Sequence, residues 1–250
     1  MESLKQEEKS AFAEGATQTK HHRTRTFDLY NLRICAAAEE SATGAYGMPA
    51  LPPTPADAEP EKLVPFNVAM RLNRVPARRG VHFFIDDYQF DRVWNAPERY
   101  VAALRRFDCV FTPDFSLYLD MPRAMKIWNI YRARLIGRYW SEHGVRVVPA
   151  LSWAEPETFD FCFEGLPRRS TLAVARVGVE ANPFFRYIWE AGFAEAMRRL
   201  EPSTLMMYSN SEYTPRALPA GTRLLRFSSD RLAALRAGGR RRLSAPAPLP

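Results

Sequence analysis

The feature of this sequence that most constrains its fold is a series of short apolar runs at nearly regular intervals. The runs are rich in Val, Phe, Leu and Thr, as buried strands are, and they start at Leu63, Val81, Cys109, Val145, Thr171, Thr204 and Thr222. Consecutive starts from Val81 to Thr204 lie 26 to 36 residues apart. That interval is the length of a βαβ unit, in which a crossover helix returns the chain to begin a parallel neighbour.

These intervals predict an α/β protein whose parallel sheet is built from βαβ units and carries helices on its faces. Two architectures remain open, an incomplete TIM-like (β/α) barrel and an open doubly wound sheet. A full eightfold barrel takes about 250 residues, whereas the apolar runs of this chain begin only at Leu63. We favour the incomplete barrel.

Two amphipathic segments predict the longest helices. Apolar side chains recur at helical spacing between Met121 and Tyr139, and we expect this stripe to face the core. Asn182 can cap a second helix, with Pro183 in its first turn and an apolar stripe from Phe185 to Leu200.

Composition divides the chain into three parts. Residues 1–42 show no sustained periodicity, and a turn-rich and Pro-rich passage follows them. We therefore predict that residues 1–60 form a flexible, partly disordered N-terminal segment. Residues 61–230 are predicted to form a single α/β domain. Residues 231–250 are predicted to be a disordered basic tail, rich in Arg and Pro, that contains Arg240, Arg241 and Arg242.

The tail carries five Arg and no acidic residue, within an overall net charge of +7. A basic end attracts nucleic acid through counterion release, an effect without sequence specificity. Only five of the 35 basic residues are Lys, so a GC-rich genome is the alternative explanation. Nucleic acid therefore stays open as a partner, bound through a basic face and the tail.

Absent features exclude several classes of protein. The three cysteines are widely spaced, without a CxxC or Cys/His pattern, which argues against a disulfide framework and a structural zinc site. No apolar run approaches the roughly 20 residues of a membrane span, and the charged start MESLKQEEKS lacks the apolar stretch of a signal peptide. We therefore expect a cytoplasmic protein without a membrane partner. His82 is expected at the strand end opposite the site. This position argues against a catalytic Ser-His-Asp triad.

Polar side chains follow several of the apolar runs, where a parallel α/β fold places its ligand site. We predict Asp86, Asp114 and Glu155 as catalytic residues. Asp86 and Asp114 are also predicted ligands of Mg²⁺, which prefers oxygen, and an acid–base pair of carboxyl groups is the alternative. The predicted ligand-binding residues are Asp87, Tyr88, Ser116, Trp153 and Glu212. Asp and Ser after a strand are also common caps and turn formers, so that interpretation stays open for Asp87 and Ser116.

Three long and unusual segments carry a resemblance to a known family: FIDDYQFDRVWN, TPDFSLYLDMP and FDFCFEG. They resemble the bacterial and phage family named domain of unknown function 4417. The likeness runs from about Leu63 to about Phe227 and includes the upstream residues 46–49. It implies an origin in bacteria, phages or other mobile elements and assigns no activity or ligand. The family's motif segments, which also include GVRVVPALSW, contain Asp86, Asp87, Asp114, Ser116, Asp120, Trp153 and Phe161.

Three functional classes follow from these observations, and whether the protein is an enzyme stays open. The first is a hydrolase or phosphodiester-processing enzyme that uses carboxylates at the strand ends, with Mg²⁺ as its cofactor. The second is a non-enzymatic nucleic-acid- or protein-binding module of phage or plasmid origin, with Tyr88, Trp94 and Tyr118 as exposed aromatic side chains for base stacking. The third is a structural protein whose acidic residues are all caps.

Overall fold

The structure is a computed structural model that describes residues 28–179 and 182–228. The chain separates into two units, Met1–Arg33 and Ile34–Pro250. In the described part of the first unit, the amide of Asn31 donates to the carbonyl oxygen of Asp28 at 3.1 Å and closes a turn. The predicted basic tail with Arg240, Arg241 and Arg242 lies outside the described residues, as do residues 1–27 of the predicted flexible segment.

The elements alternate between strands and helices. The strands are β1 (Ala42–Thr43), β2 (Met48–Pro49), β3 (Lys62–Pro65), β4 (Arg79–His82), β5 (Cys109–Phe111), β6 (Val147–Val148), β7 (Ala150–Leu151), β8 (Thr171–Arg176), β9 (Thr204–Ser209) and β10 (Arg223–Phe227). The α-helices are α1 (Leu32–Glu39), α2 (Phe66–Ala69), α3 (Arg92–Asn95), α4 (Glu98–Leu104), α5 (Arg123–Glu142), α6 (Phe159–Cys162) and α7 (Pro183–Leu200). Short 3₁₀ turns cover Asp87–Gln89 and Pro156–Thr158.

The main strands form two four-stranded parallel sheets in which the strands follow chain order, β3-β4-β5-β6 and β7-β8-β9-β10. Val81 lies opposite Val110 in the first sheet, and Leu172 lies opposite Leu205 in the second. Helices connect the successive strands within each sheet, except that a segment without a helix, residues 210–222, joins β9 to β10. The predicted α/β class with parallel strands is therefore confirmed.

A proline separates the two sheets. Pro149 lies between β6 and β7 and has no N–H to donate to a neighbouring strand. Its carbonyl oxygen accepts a hydrogen bond from the amide of Ala173 in the second sheet at 2.9 Å. The next amide, that of Ala150, donates to the hydroxyl of Thr112 from the first sheet, also at 2.9 Å. The chain thus leaves one sheet and enters the other within three residues.

The two sheets share one buried cluster, to which both contribute side chains. Its members are mostly apolar and include Leu63, Cys109, Phe111, Val148, Ala173, Met206, Tyr208 and Phe227. Two further apolar clusters pack between the sheets and the helices. No hydrogen-bonded pairing joins β3 to β10 in the described strands, so a closed barrel is not seen.

The two long helices match their predicted positions, and each buries only part of its predicted face, since Phe185 at the start of α7 is exposed. In α7, Asn182 caps the first turn by accepting from the amide of Phe184 at 2.9 Å, as predicted. In α5 the predicted stripe is wrong in part, because Met125 and Trp128 are exposed while Lys126 and Arg134 are buried. Both cations have hydrogen-bond acceptors, which removes the main penalty for burying them.

Part of the segment predicted to be flexible packs within the second unit, where Met48, Pro49, Leu51 and Ala58 are buried. Strands β1 and β2 form an antiparallel pair with Thr43 opposite Met48. Met48 is fully buried, and the amide of Leu51 donates to the carbonyl oxygen of Gly165 at 2.8 Å. Ordered packing therefore begins before residue 60.

The substitution Gly192→Ala is expected to lower the free energy of unfolding by about 1 kcal/mol. A Cβ atom at Gly192 would lie 2.2 Å from Cδ1 and Nε1 of the Trp153 indole. Overpacking costs about 1 to 3 kcal/mol, which exceeds the gain of about 1 kcal/mol that Ala brings to a helix. Urea denaturation measures the change. In a Trp153→Leu background the same substitution should be neutral or stabilising, and an equal loss in both backgrounds would contradict this account.

Candidate functional site

A cavity of about 570 Å³ opens at the carboxyl ends of β5, β7 and β8. The residues directly after these strands line it, together with the first two turns of α7. Its lining includes Asp114, Ser152, Trp153, Val177, Phe185 and Trp189. This volume suits a small organic molecule, and the location is the one that parallel α/β folds use for ligands.

Two indole rings form a fixed part of the cavity wall. Trp153 Nε1 donates to the carbonyl oxygen of Ile188 at 3.2 Å, and Trp189 Nε1 donates to that of Ala175 at 2.9 Å. The ring centroids lie 5.8 Å apart with an interplanar angle of 50°. Because both N–H groups bind main chain, each ring has a defined orientation and presents apolar surface to the cavity.

Apolar side chains at the cavity remain accessible to solvent. Tyr118 is 64% exposed, Val177 47% and Phe185 45%. Exposed apolar side chains that gather around a concavity are typical of ligand-binding sites. Phe185 was predicted to belong to the core stripe of α7, and its place at the cavity was not predicted. Phe185 lies in the first turn of α7, the helix that follows β8. That position could have indicated a place at the site, because the start of this helix lies beside the carboxyl ends of the strands.

Asp114 is the carboxyl group at the centre of the site. Burial raises its pKa to about 7; the hydrogen bond from Ser152 and the charge of Arg134 act to lower it, and the neighbouring Asp87 carboxylate raises it further. Its Oδ1 atom is buried and has no hydrogen-bond partner among the described residues. A carboxyl group of this kind can exchange a proton near neutral pH.

Asp87 and Ser116 hold the loop that carries Asp114. The carboxylate of Asp87 accepts from the amide of Ser116 at 3.1 Å and from its hydroxyl at 2.8 Å. From the other side, Asn129 Nδ2 donates to the carbonyl oxygen of Ser116 at 2.7 Å. The predicted ligand-binding role of Asp87 and Ser116 stays a prediction, while their hydrogen bonds fix the loop after β5 against the loop after β4.

Glu155 forms a charged pair with a buried lysine. Lys126 Nζ donates to both carboxylate oxygens of Glu155, at 2.6 and 2.7 Å, and to the carbonyl oxygen of Leu119 at 3.1 Å. These three acceptors match the three donors of an ammonium group. Glu155 does not line the cavity, and its contacts connect α5 to the loop after β7.

The remaining predicted site residues lie away from the cavity lining. Asp86 is exposed and accepts from Gln89 Nε2 at 3.3 Å, and Tyr88 is 81% exposed. Glu212 lines a separate cavity of about 430 Å³ beyond β9 and β10. The structure therefore brings together Asp114 and Trp153 but not Asp86, Tyr88, Glu155 or Glu212.

The metal-site hypothesis gains no further ligands from the fold. Within residues 28–179 and 182–228, no group of three or more His, Cys, Asp or Glu side chains is placed to hold a metal ion. The assignment of Mg²⁺ to Asp86 and Asp114 stays a prediction.

Two aromatic residues differ from their predicted positions. His82 ends β4 at the carboxyl side of the sheet, because the strand begins at Arg79, two residues before the apolar run. Its ring packs on Tyr208 with centroids 4.5 Å apart, and burial lowers its pKa to about 4, so it is neutral at pH 7. Trp94 is only 8% exposed and packs edge-on against Trp128, so its predicted role as an exposed stacking residue is wrong.

The fold and the cavity define an α/β protein with a candidate ligand site at the carboxyl ends of parallel strands. The family model described as domain of unknown function DUF4417 matches residues 40–218, and the chain belongs to this family. The resemblance seen in the motif segments is therefore confirmed.

Phage proteins are similar to this chain over most of its length. It is 38% identical over 188 residues to the gene 1 protein of Mycobacterium phage D29, which covers 75% of this chain and 67% of that protein. It is 37% identical over 183 residues to the gene 1 protein of Mycobacterium phage L5, with 73% and 77% covered. No solved structure matches the chain. The comparisons identify a phage-associated domain of unknown function. Across the described part of the chain, no helix combines the length and apolar character needed to cross a membrane.

The substitution Glu155→Gln is expected to lower the free energy of unfolding by about 2 kcal/mol, because it leaves the buried ammonium of Lys126 without its charged partner. Glu157→Gln is the matched control, since Glu157 is exposed on the same segment. Urea denaturation compares both variants with wild type. Equal stability of the two variants would show that the pair does not support the fold.

The pKa of Asp114 predicts a pH-dependent difference between wild type and Asp114→Asn. A carboxyl group whose folded pKa is raised stabilises the fold fully below its ordinary value of 3.8, and this contribution is lost as pH rises through about 7. The unfolding free energy of wild type minus that of Asp114→Asn should fall between pH 4 and 8, by up to about 1.4 kcal/mol per pH unit.

The difference between the two proteins is the quantity to measure, because His82 contributes an opposite trend. Its lowered pKa gives stability above pH 6.5 that is lost as pH falls towards 4, and it does so in both proteins. Urea denaturation at six pH values would separate the two effects. Parallel stability curves for the two proteins would contradict a raised pKa of Asp114.

Proposed function

We propose that this phage-associated domain is a hydrolase in which Asp114 exchanges a proton with the substrate inside the aromatic cavity. The observation that carries the proposal is the carboxyl group of Asp114 in the wall of a cavity of ligand size, with one buried oxygen that has no partner among the described residues. General acids and bases work best when their pKa lies near the working pH. Burial raises the pKa of Asp114 to about 7, which meets that requirement.

Each neighbouring group has a defined part in this proposal. In its protonated form Asp114 donates to the leaving group, and in its ionised form it accepts a proton from the attacking water. Ser152 hydrogen-bonds to the carboxyl group and orients it. The bonds from Asp87 and Asn129 to Ser116 hold the loop in place. The indole rings exclude water from one side of the cavity.

The proposal also concerns the architecture around the cavity. We propose that the two sheets are walls of an incomplete TIM-like barrel. The strand order, the turn at Pro149 and the shared apolar cluster support this interpretation. In such a barrel the loops after successive strands converge on one rim, where catalytic groups from several strands meet.

A non-enzymatic nucleic-acid-binding module is the second candidate. The observation in its favour is the side chain of Tyr88, which is 81% exposed and is not part of the cavity lining. An exposed aromatic ring of this kind can stack on a nucleic-acid base at the protein surface. Binding of this kind would weaken steeply with rising salt concentration.

The hydrolase proposal is tested with chromogenic substrates that sample hydrolysable bonds. Ester cleavage is followed with p-nitrophenyl acetate, phosphodiester cleavage with bis(p-nitrophenyl) phosphate, and glycoside cleavage with p-nitrophenyl glycosides. We expect turnover of at least one class, with a rate that changes around pH 7 and falls about 100-fold or more in Asp114→Asn. Glu157→Gln is the control and should match wild type.

Adding and omitting Mg²⁺ in the same assays tests the magnesium hypothesis. Loss of activity in Asp86→Asn together with a requirement for Mg²⁺ would favour the paired-carboxylate metal site over acid–base work by Asp114 alone. Failure of every substrate class, with folded protein at pH 7, would count against a hydrolase.

A further inference from the structure

We propose that the cavity beside Asp114 binds a planar nitrogen heterocycle with a hydrogen-bond donor and an acceptor side by side on one edge, the chemistry of a nucleobase. The ring would stack on the aromatic wall, and its polar edge would pair with the Asp114 carboxyl group. The inference rests on the proposed function, because it names the class of substrate that the same cavity would bind.

The aromatic lining favours a flat ligand. Trp153 and Trp189 are held by main-chain hydrogen bonds, so the wall is fixed before any ligand arrives. Trp153 is the more accessible of the two rings, while Trp189 is only 7% exposed and stacks on Phe193 behind it. Tyr118 and Phe185 are exposed side chains that also line the cavity, and a bound ring would cover them. Stacking of a base on an aromatic side chain contributes about 1 to 3 kcal/mol.

The carboxyl group favours a ligand with paired polar atoms. A protonated carboxyl offers one O–H donor and one carbonyl acceptor in the same plane, and an ionised one only accepts. The edge of a nucleobase presents the complementary donor and acceptor. Asp114 lines the cavity, and its Oδ1 atom is closed off from solvent with no hydrogen-bond partner among the described residues. A turn of the carboxyl group about its Cβ–Cγ bond would bring both oxygens to such an edge and would satisfy Oδ1.

The charge of the lining disfavours an anion inside the cavity. The described charged side chains of the lining are Asp114 and Asp120, and both are acidic. A phosphate group would therefore have to stay outside, as it would in a nucleoside phosphate or in a strand with one base inserted. A free nucleoside and a base inserted from a strand would present the same ring and polar edge to the cavity. The experiment below distinguishes these two ligands.

Binding should depend on the protonation of Asp114. The charged groups that act on its carboxyl are Asp87 from the turn after β4 and Arg134 from α5, with Asp120 as a second acidic group at the cavity. The guanidinium of Arg134 donates to main-chain carbonyl oxygens, and β8 and α7 contribute apolar lining. A neutral base needs the protonated carboxyl, so its affinity should fall above about pH 7.

Titration of the full chain with nucleosides, followed by tryptophan fluorescence and calorimetry, tests the inference. The probes are adenosine, cytidine, guanosine and uridine, and N3-methyluridine is the matched control for uridine because it lacks only the edge N–H. We expect at least one of the four nucleosides to bind with quenching of Trp153 and Trp189. We also expect N3-methyluridine to bind at least about tenfold more weakly than uridine.

Two variants at Asp114 make the test specific. The amide of Asp114→Asn keeps a donor and an acceptor, so this variant should bind within about threefold of wild type and lose the pH dependence. Asp114→Leu removes both groups and should lower affinity at least about tenfold. Circular dichroism establishes that both variants are folded.

A second arm of the experiment titrates the protein with single strands of 12 nucleotides, each strand containing one kind of base. Binding of a strand without binding of the free nucleoside identifies an inserted base as the ligand and supports the inference, as does binding of both. No binding in either arm, or undiminished binding by Asp114→Leu, overturns it. Nucleoside binding by a protein that hydrolyses nothing would overturn the proposed hydrolase and leave this inference standing.

Discussion

The exchange of hydrogen bonds at Pro149 is the constraint on which the rest of the structure depends. The carbonyl oxygen of Pro149 and the amide of Ala150 pair with opposite sheets, through Ala173 and Thr112 respectively. The chain therefore passes directly from the last strand of the first sheet to the first strand of the second, and the two sheets bury a common cluster. The same turn brings the loop after β5, with Asp114, beside the loop after β7, with Trp153.

Much of the fold could be predicted from the sequence because apolar runs and βαβ intervals depend on local physics. Each run must be buried, and each interval must hold one crossover helix. The sheet break at Pro149 could not be predicted, because a proline within a strand indicates an edge or a bend without saying which partner the chain takes next. The site was predicted in part: Asp114 and Trp153 meet at the cavity, since both directly follow parallel strands.

Buried polar groups account for the errors of the sequence analysis. The helical periodicity of α5 places Lys126 and Arg134 outside its apolar stripe, yet both side chains are buried. Main-chain carbonyl oxygens and Glu155 accept their hydrogen bonds. Apart from the carbonyl oxygen of Leu119, those acceptors lie 28 to 30 residues away along the chain, so the local sequence pattern does not indicate them. The catalytic role of Glu155 stays a prediction. Phe185 was predicted to face the core, yet it is exposed at the cavity.

The absence of a side chain at Gly192 has a consequence for the family as a whole. The Trp153 indole occupies the space that a Cβ atom at Gly192 would need. The two positions are therefore expected to change together during evolution, so that relatives with a larger residue at position 192 carry a smaller one at position 153. Such paired changes would mark branches of the family whose cavities have a different shape and accept different molecules.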